Sequence, residues 1–159
     1  MLPEWVFDEH DRAFMTEALG EAEAAGRRGE IPVGAVVARG CEVISRAGNR
    51  RMELHDPAAH AELLALAEAG RVVGDWRLED CTLYVTLEPC PMCAAACRQA
   101  RLGLVVWGAP DPQAGACGSV MNLAEDPRLG RPLTQRGGLD AEASRRLLRG
   151  FFAKQRHSS

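Results

Sequence analysis

The 159-residue chain lacks any apolar run approaching the ~18 residues of a membrane-spanning helix, so no membrane partner is expected. Its opening, MLPEWVFDEH, lacks the basic start and apolar centre of a secretory leader, which makes the cytoplasm the expected location. No internal repeat, low-complexity tract or Ser/Gly linker divides residues 1–159, and a single domain is expected. What is present is a globular balance, with 47% hydrophobic and 26% charged residues, in a chain long enough to bury a core without staples. Six cysteines without an export signal read as thiols or metal ligands rather than disulfides.

The net charge of -3 conceals an asymmetry. Residues 1–30 carry eight acids and three bases, whereas residues 128–159 carry eight bases and two acids. The C-terminal end is therefore the candidate anion-facing end. The plainer alternative is that Arg145, Arg146 and Arg149 solvate one face of a helix.

Apolar residues recur at helical spacing over residues 9–26, and Gly29 ends that first helix. VGAVVA (33–38) and CEVISRA (41–47) read as a hairpin. Asp56 and Pro57 supply an N-cap and a first-turn proline for a second helix that Gly70 stops. A strand is predicted over 81–86, and Pro91 opens a helix running to Gly103. A fourth strand covers 103–108, a Gly/Pro-rich loop follows, and a last helix runs from about Asp140 to Gln155. Helices alternating with strands in this order argue an α-β-α sandwich around a mixed sheet, whose strand order the pattern leaves open.

Two short motifs carry chemistry. His60-Ala61-Glu62 lies at the start of one helix and Cys90-Pro91-Met92-Cys93 at the start of another. Thiolates are favoured by the positive end of a helix macrodipole, and two cysteines three apart can face one metal. One imidazole and two thiolates leave tetrahedral zinc a fourth position for water, which distinguishes a catalytic site from a closed structural one. Glu62, two residues beyond His60, can then act as a proton shuttle. Alternatives remain: Cys90 and Cys93 as a redox pair, or His55 as a fourth ligand closing a structural site. Cys97 reads as core; Cys41, Cys81 and Cys117 read as ordinary thiols, and Trp5, Trp76 and Trp107 as packing. The combination H-x-E followed by P-C-x-x-C is the known signature of zinc nucleobase deaminases, so this reading is a match to an established pattern.

Beyond that signature, the sequence resembles the bacterial tRNA-specific adenosine deaminases, through EIPVGAVV (30–37), GNR (48–50), HDPAAHAELLAL (55–66), LYVTLEPCPMC (83–93), WGAPDPQAGACGSVMNL (107–123) and LLRGFF (147–152). The resemblance implies an α/β fold, a three-layer α-β-α sandwich around a mixed five-stranded, cytidine-deaminase-like sheet. It also implies conversion of adenosine to inosine at the wobble position of a tRNA anticodon stem-loop, by a homodimer with one Zn2+ per subunit. Carried over by position, His60, Cys90 and Cys93 bind zinc, Glu62 moves the proton and Asn49 holds the purine. Asn49 also reads as a turn residue after Gly48. Asp111, Phe151, Phe152, Lys154 and Arg156 are the candidate contacts to the nucleotides around the target. Phe151 and Phe152 lie about 100° apart on a helix, so at most one can face the core fully, and packing of both is the competing reading. Pro110 and Pro112 around Asp111, and the weakly basic tail, depart from the family pattern. A free-base deaminase acting on guanine or cytosine would use the same zinc and glutamate.

Overall fold

The computed structural model describes residues 5–158, with side chains to 157. Five strands form one sheet: β1 (Gly34–Arg39), β2 (Glu42–Gly48), β3 (Cys81–Leu87), β4 (Leu104–Ala109) and β5 (Gln135–Gly137). Their order is β2-β1-β3-β4-β5. β1 is antiparallel to β2 and β3, while β3, β4 and β5 run parallel. Both ends of the expectation hold, a mixed sheet and five strands. The fifth was not legible as a pattern, because a three-residue strand of Gln, Arg and Gly offers no apolar alternation.

Strand periodicity divides the core between two faces. Ala35, Val37, Leu83, Val85, Val105 and Trp107 point to the side covered by α3 (Ala61–Val73) and α4 (Pro91–Gln99). Val36, Ala38, Tyr84 and Val106 point to the other side, against Phe14, Met15 and Ala18 of α1 (Glu9–Arg27). There α5 (Ala141–Ser158) packs beside α1. Two glycines permit this packing. A Cβ at Gly34 would strike the α1 backbone at Ala18 and Ala22, and one at Gly137 would strike the ring of fully buried Trp107. The Trp107 indole N–H, which burial would otherwise strand, donates to Gln135 Oε1 at 2.9 Å. Tyr84 Oη donates to Asp11 Oδ1 at 2.7 Å and pins α1 to the sheet.

Several expected boundaries move. The helix expected from Pro57 begins at Ala61, because Asp56 closes a turn instead: its Oδ1 accepts from Ala58 N at 2.8 Å and its carbonyl from Ala59 N at 3.2 Å. It also runs past Gly70 to Val73, where Gly74 adopts the left-handed conformation that ends it. A short helix, α2 (Arg51–Leu54), precedes that turn and had no sequence signature. α4 stops at Gln99 rather than Gly103, with Arg101 at φ 52° turning the chain into β4. α5 begins one residue later and ends three residues later than expected. Trp76, read as packing, is instead 59% exposed, with the guanidinium groups of Arg77 and Arg101 at 5.5 and 5.3 Å from its ring. Among the described residues no helix is long and apolar enough to cross a membrane.

Candidate active site

In open sheets with parallel strands, ligand sites form beyond the carboxyl ends of those strands. Cys90 and Cys93 follow β3, and Asp111 follows β4. α3 enters the same end from the opposite direction in sequence. His60 is the N-cap residue of α3 and Cys90 the N-cap residue of α4, and neither side chain makes a capping hydrogen bond. Both point at each other instead.

His60 Nδ1 lies 3.6 Å from Cys90 Sγ and 3.4 Å from Cys93 Sγ. The three donor atoms lie within 4.8 Å of one another, and they are the one His/Cys/Asp/Glu group of this kind among the described residues. His55 is outside it, exposed at φ 51° after α2, so it does not close a fourth position. The hydrogen bond from the Cys93 thiol holds Cys90 down at about 4, against burial that raises it. Cys93, donating to Cys90 and buried, is pushed well above the ordinary thiol range. The two thiols are thus held in opposite directions by one another, and metal binding at such a pair releases the proton of any thiol that becomes a ligand. Two soft sulfurs and one imidazole at this spacing fit zinc.

Glu62 lies on the first turn of α3 and is 4% exposed. Burial raises its pKa above the ordinary carboxyl range, and its carboxylate contacts the Cys93 thiol. A buried carboxyl group beside such a donor cluster is placed to take a proton and to return it.

Asn49 is buried at the end of β2, with its Oδ1 accepting from Ala61 N at 2.9 Å and its Nδ2 donating to Ile31 O at 3.2 Å. Asn49 therefore supplies the cap that His60 does not, which fixes the start of α3 and with it the direction of the imidazole. One amide hydrogen and one lone pair of Asn49 are not used by these two bonds. Cys97 is fully buried in the core, as expected.

Asp111 is half-buried, and its Oδ1 accepts from Gln113 N at 3.0 Å, which shapes the loop after β4. The remaining candidates lie on α5. Phe151 is half-buried in a groove with Gly26, Pro32 and Leu147, while Phe152 is 41% exposed and meets Phe151 edge-on at 5.4 Å. Lys154 and Arg156 are exposed. Arg145, Arg146 and Arg149 all converge on Glu142, with Arg149 Nη2 at 2.6 Å from Glu142 Oε1, which is the solvated helix face of the plainer reading. Two buried carboxylates that the sequence reading passed over border the site. Glu30 accepts from Met52 N at 3.0 Å and Glu53 N at 2.9 Å, holding the start of α2. Glu88 accepts from the loop that carries Asp111. An acid set in an otherwise apolar strand exit, as in LEPC, was the available signal for Glu88.

A His/Cys/Cys cluster with a buried glutamate, on a mixed sheet with helices on both faces, defines a zinc-dependent deaminase. Residues 8–109 match the cytidine and deoxycytidylate deaminase zinc-binding region, and the chain belongs to that family. Within it, the chain belongs with the tRNA-specific adenosine deaminases: it is 44% identical to the Bacillus subtilis (strain 168) tRNA-specific adenosine deaminase over 146 residues, covering 92% of this chain and 91% of that protein. A solved structure from a study of A-to-I editing by tRNA:A34 deaminases at the wobble position superposes with a TM-score of 0.83 at 43% identity, covering 86% of this chain and 99% of the other. The guanine deaminase of Nitrosomonas europaea shares the fold, with a TM-score of 0.80, but only 25% identity, over 96% of this chain and 88% of that one.

Proposed function

We propose that this chain deaminates adenosine to inosine at the wobble position of a tRNA anticodon, with water replacing the exocyclic amine and ammonia leaving. The observation that carries the reading is identity of 44% across nearly the full length of a tRNA-specific adenosine deaminase, against 25% to a guanine deaminase of the same fold. His60 through Nδ1, and Cys90 and Cys93 through Sγ, would hold one zinc per subunit. Zinc, when bound in such a site, lowers the pKa of a water towards ~7. The Glu62 carboxylate takes a proton from the attacking water and returns it to a nitrogen of the purine. Its burial keeps bulk solvent from competing for that proton.

Asn49 offers its remaining amide hydrogen and lone pair to the purine edge, and Asp111 contacts the target nucleotide from the loop after β4. Phe152 stacks on a flanking base, with Phe151 behind it, while Lys154 and Arg156 meet the phosphates. Residues 1–159 act as one deaminase unit. A groove of about 1180 Å3 between α3 and α4, lined by Leu63, Leu66, Ala67, Trp76 and Ala96, supports a homodimer. Under this reading the protein works where tRNA matures, in the cytoplasm.

The test is deamination by the zinc-loaded protein of a stem-loop with adenosine at the wobble position, beside free guanine, cytosine and adenosine. Inosine in the stem-loop alone is expected. Turnover of a free base with an untouched stem-loop would overturn the substrate assignment and keep the zinc chemistry. Sedimentation of wild type and Trp76→Glu checks the dimer: a two-chain species is expected for the first and a single chain for the second.

A further inference from the structure

The buried carboxylate with the most hydrogen bonds among the described residues is not in the His/Cys/Cys cluster. Glu88 leaves β3 two residues before Cys90 and is 1% exposed. Its Oε1 accepts from Asp111 N at 3.1 Å and from the Ser119 hydroxyl in a short hydrogen bond. Its Oε2 accepts from Cys117 N at 2.9 Å and Ser119 N at 3.1 Å. A carboxylate offers about four lone-pair positions, and all four receive donors from a single loop. Gly115 closes over the group so tightly that a Cβ there would overlap the carboxylate. The adjacent Pro89 carbonyl accepts from Ala116 N at 2.8 Å, extending the same tie.

We propose that Glu88 is a positioning residue for the substrate: it locks the 111–119 loop to the segment carrying Cys90, so that Asp111 meets the target nucleotide at a set distance from the metal ligands. The proposal rests on the wobble-adenosine reading and on Asp111 as a substrate contact. Three features of the chemistry support it. The loop bonds Glu88 at three separated points, Asp111, Cys117 and Ser119, so the carboxylate acts on the shape of the whole loop. The pocket demands acceptors only; glutamine, the same shape, would set an amide N–H2 against N–H donors. The tie joins the exits of two neighbouring parallel strands, β3 and β4, which is where a ligand would bridge the metal segment and the recognition loop.

The test compares wild type, Glu88→Gln and Ser119→Ala as zinc-loaded proteins, by metal content, amide hydrogen exchange and steady-state deamination of the wobble-adenosine stem-loop. For Glu88→Gln, zinc content stays at the wild-type value and exchange in residues 111–119 speeds about tenfold or more. KM for the stem-loop rises about tenfold while kcat per bound zinc stays within about threefold. Ser119→Ala, which removes one bond of the four, shows the same pattern at smaller size, and it carries the test alone should Glu88→Gln not fold. Unchanged exchange in 111–119, zinc loss in step with activity loss, or a fall in kcat per zinc at constant KM would each overturn the proposal. Absence of inosine with wild-type protein would instead strike the functional reading, while the exchange measurement would still report the tie.

Discussion

Helix α1 and the pair α3 and α4 begin in opposite ways. α1 opens with a complete capping box: Asp11 N donates to Asp8 Oδ1 at 2.8 Å, and Asp8 N donates to Asp11 Oδ2 at 3.0 Å. At α3 and α4 the N-cap positions are held by His60 and Cys90, whose side chains cap nothing. Capping is worth about 0.5–2 kcal/mol, so two helices forgo a common source of stability at the point where their side chains converge. The part of the deficit at Ala61 is met from outside the helix, by Asn49. The difference teaches that stability and chemistry compete for the same backbone positions here, and that the neighbouring β2 end resolves part of the conflict.

That contrast can be broken from the chemical side first. Glu62→Gln is expected to lower turnover by about 10²–10⁴-fold with zinc content intact, measured by single-turnover deamination beside elemental analysis. Cys90→Ala should lose zinc and stability together, because a metal held by His60, Cys90 and Cys93 would link α3 to α4; the check is whether chelation still lowers the melting temperature, as it must in wild type and must not in the variant. Asn49→Ala removes the outside cap and leaves the buried Ala61 N–H without a partner, at a cost of about 1–3 kcal/mol in urea unfolding. Asp8→Ala, losing an ordinary and more exposed cap, should cost less in urea unfolding than Asn49→Ala and leave zinc affinity unchanged. Smallest of all, His60→Ser measured in chelated protein should gain about 0.5–1 kcal/mol over chelated wild type, since a serine caps where a histidine does not. A loss of stability in that comparison would mean that the N-cap of α3 is not sacrificed to the site.

The His/Cys/Cys cluster was legible in the sequence because its spacing is local. Cys90 and Cys93 are separated by less than one helical turn, Pro91 marks the helix start, and His60 and Glu62 sit two apart at another start. The boundary error at Pro57 did not disturb that reading, since moving His60 from the first turn to the N-cap keeps it at the helix mouth. The cap role of Asn49 was hidden for the opposite reason: its partner Ala61 is twelve residues away, and nothing in GNR announces it. Glu30 and Glu88 were hidden likewise, each serving backbone amides more than twenty residues distant. On α5 the sequence left Phe151 and Phe152 undivided, and only packing separated them, by turning Phe151 towards Pro32 and leaving Phe152 exposed.

By itself, the sequence determined the donor set, the zinc it suits, the deaminase class and the alternation of helices and strands, because each is written in residue type and short spacing. The tertiary structure alone decided that β5 completes the sheet, that an asparagine caps α3, and that one buried glutamate gathers the loop after β4. Those features depend on backbone amides meeting side chains across long stretches of chain, and backbone amides are the same at every residue but proline, so no local pattern encodes which side chain will find them.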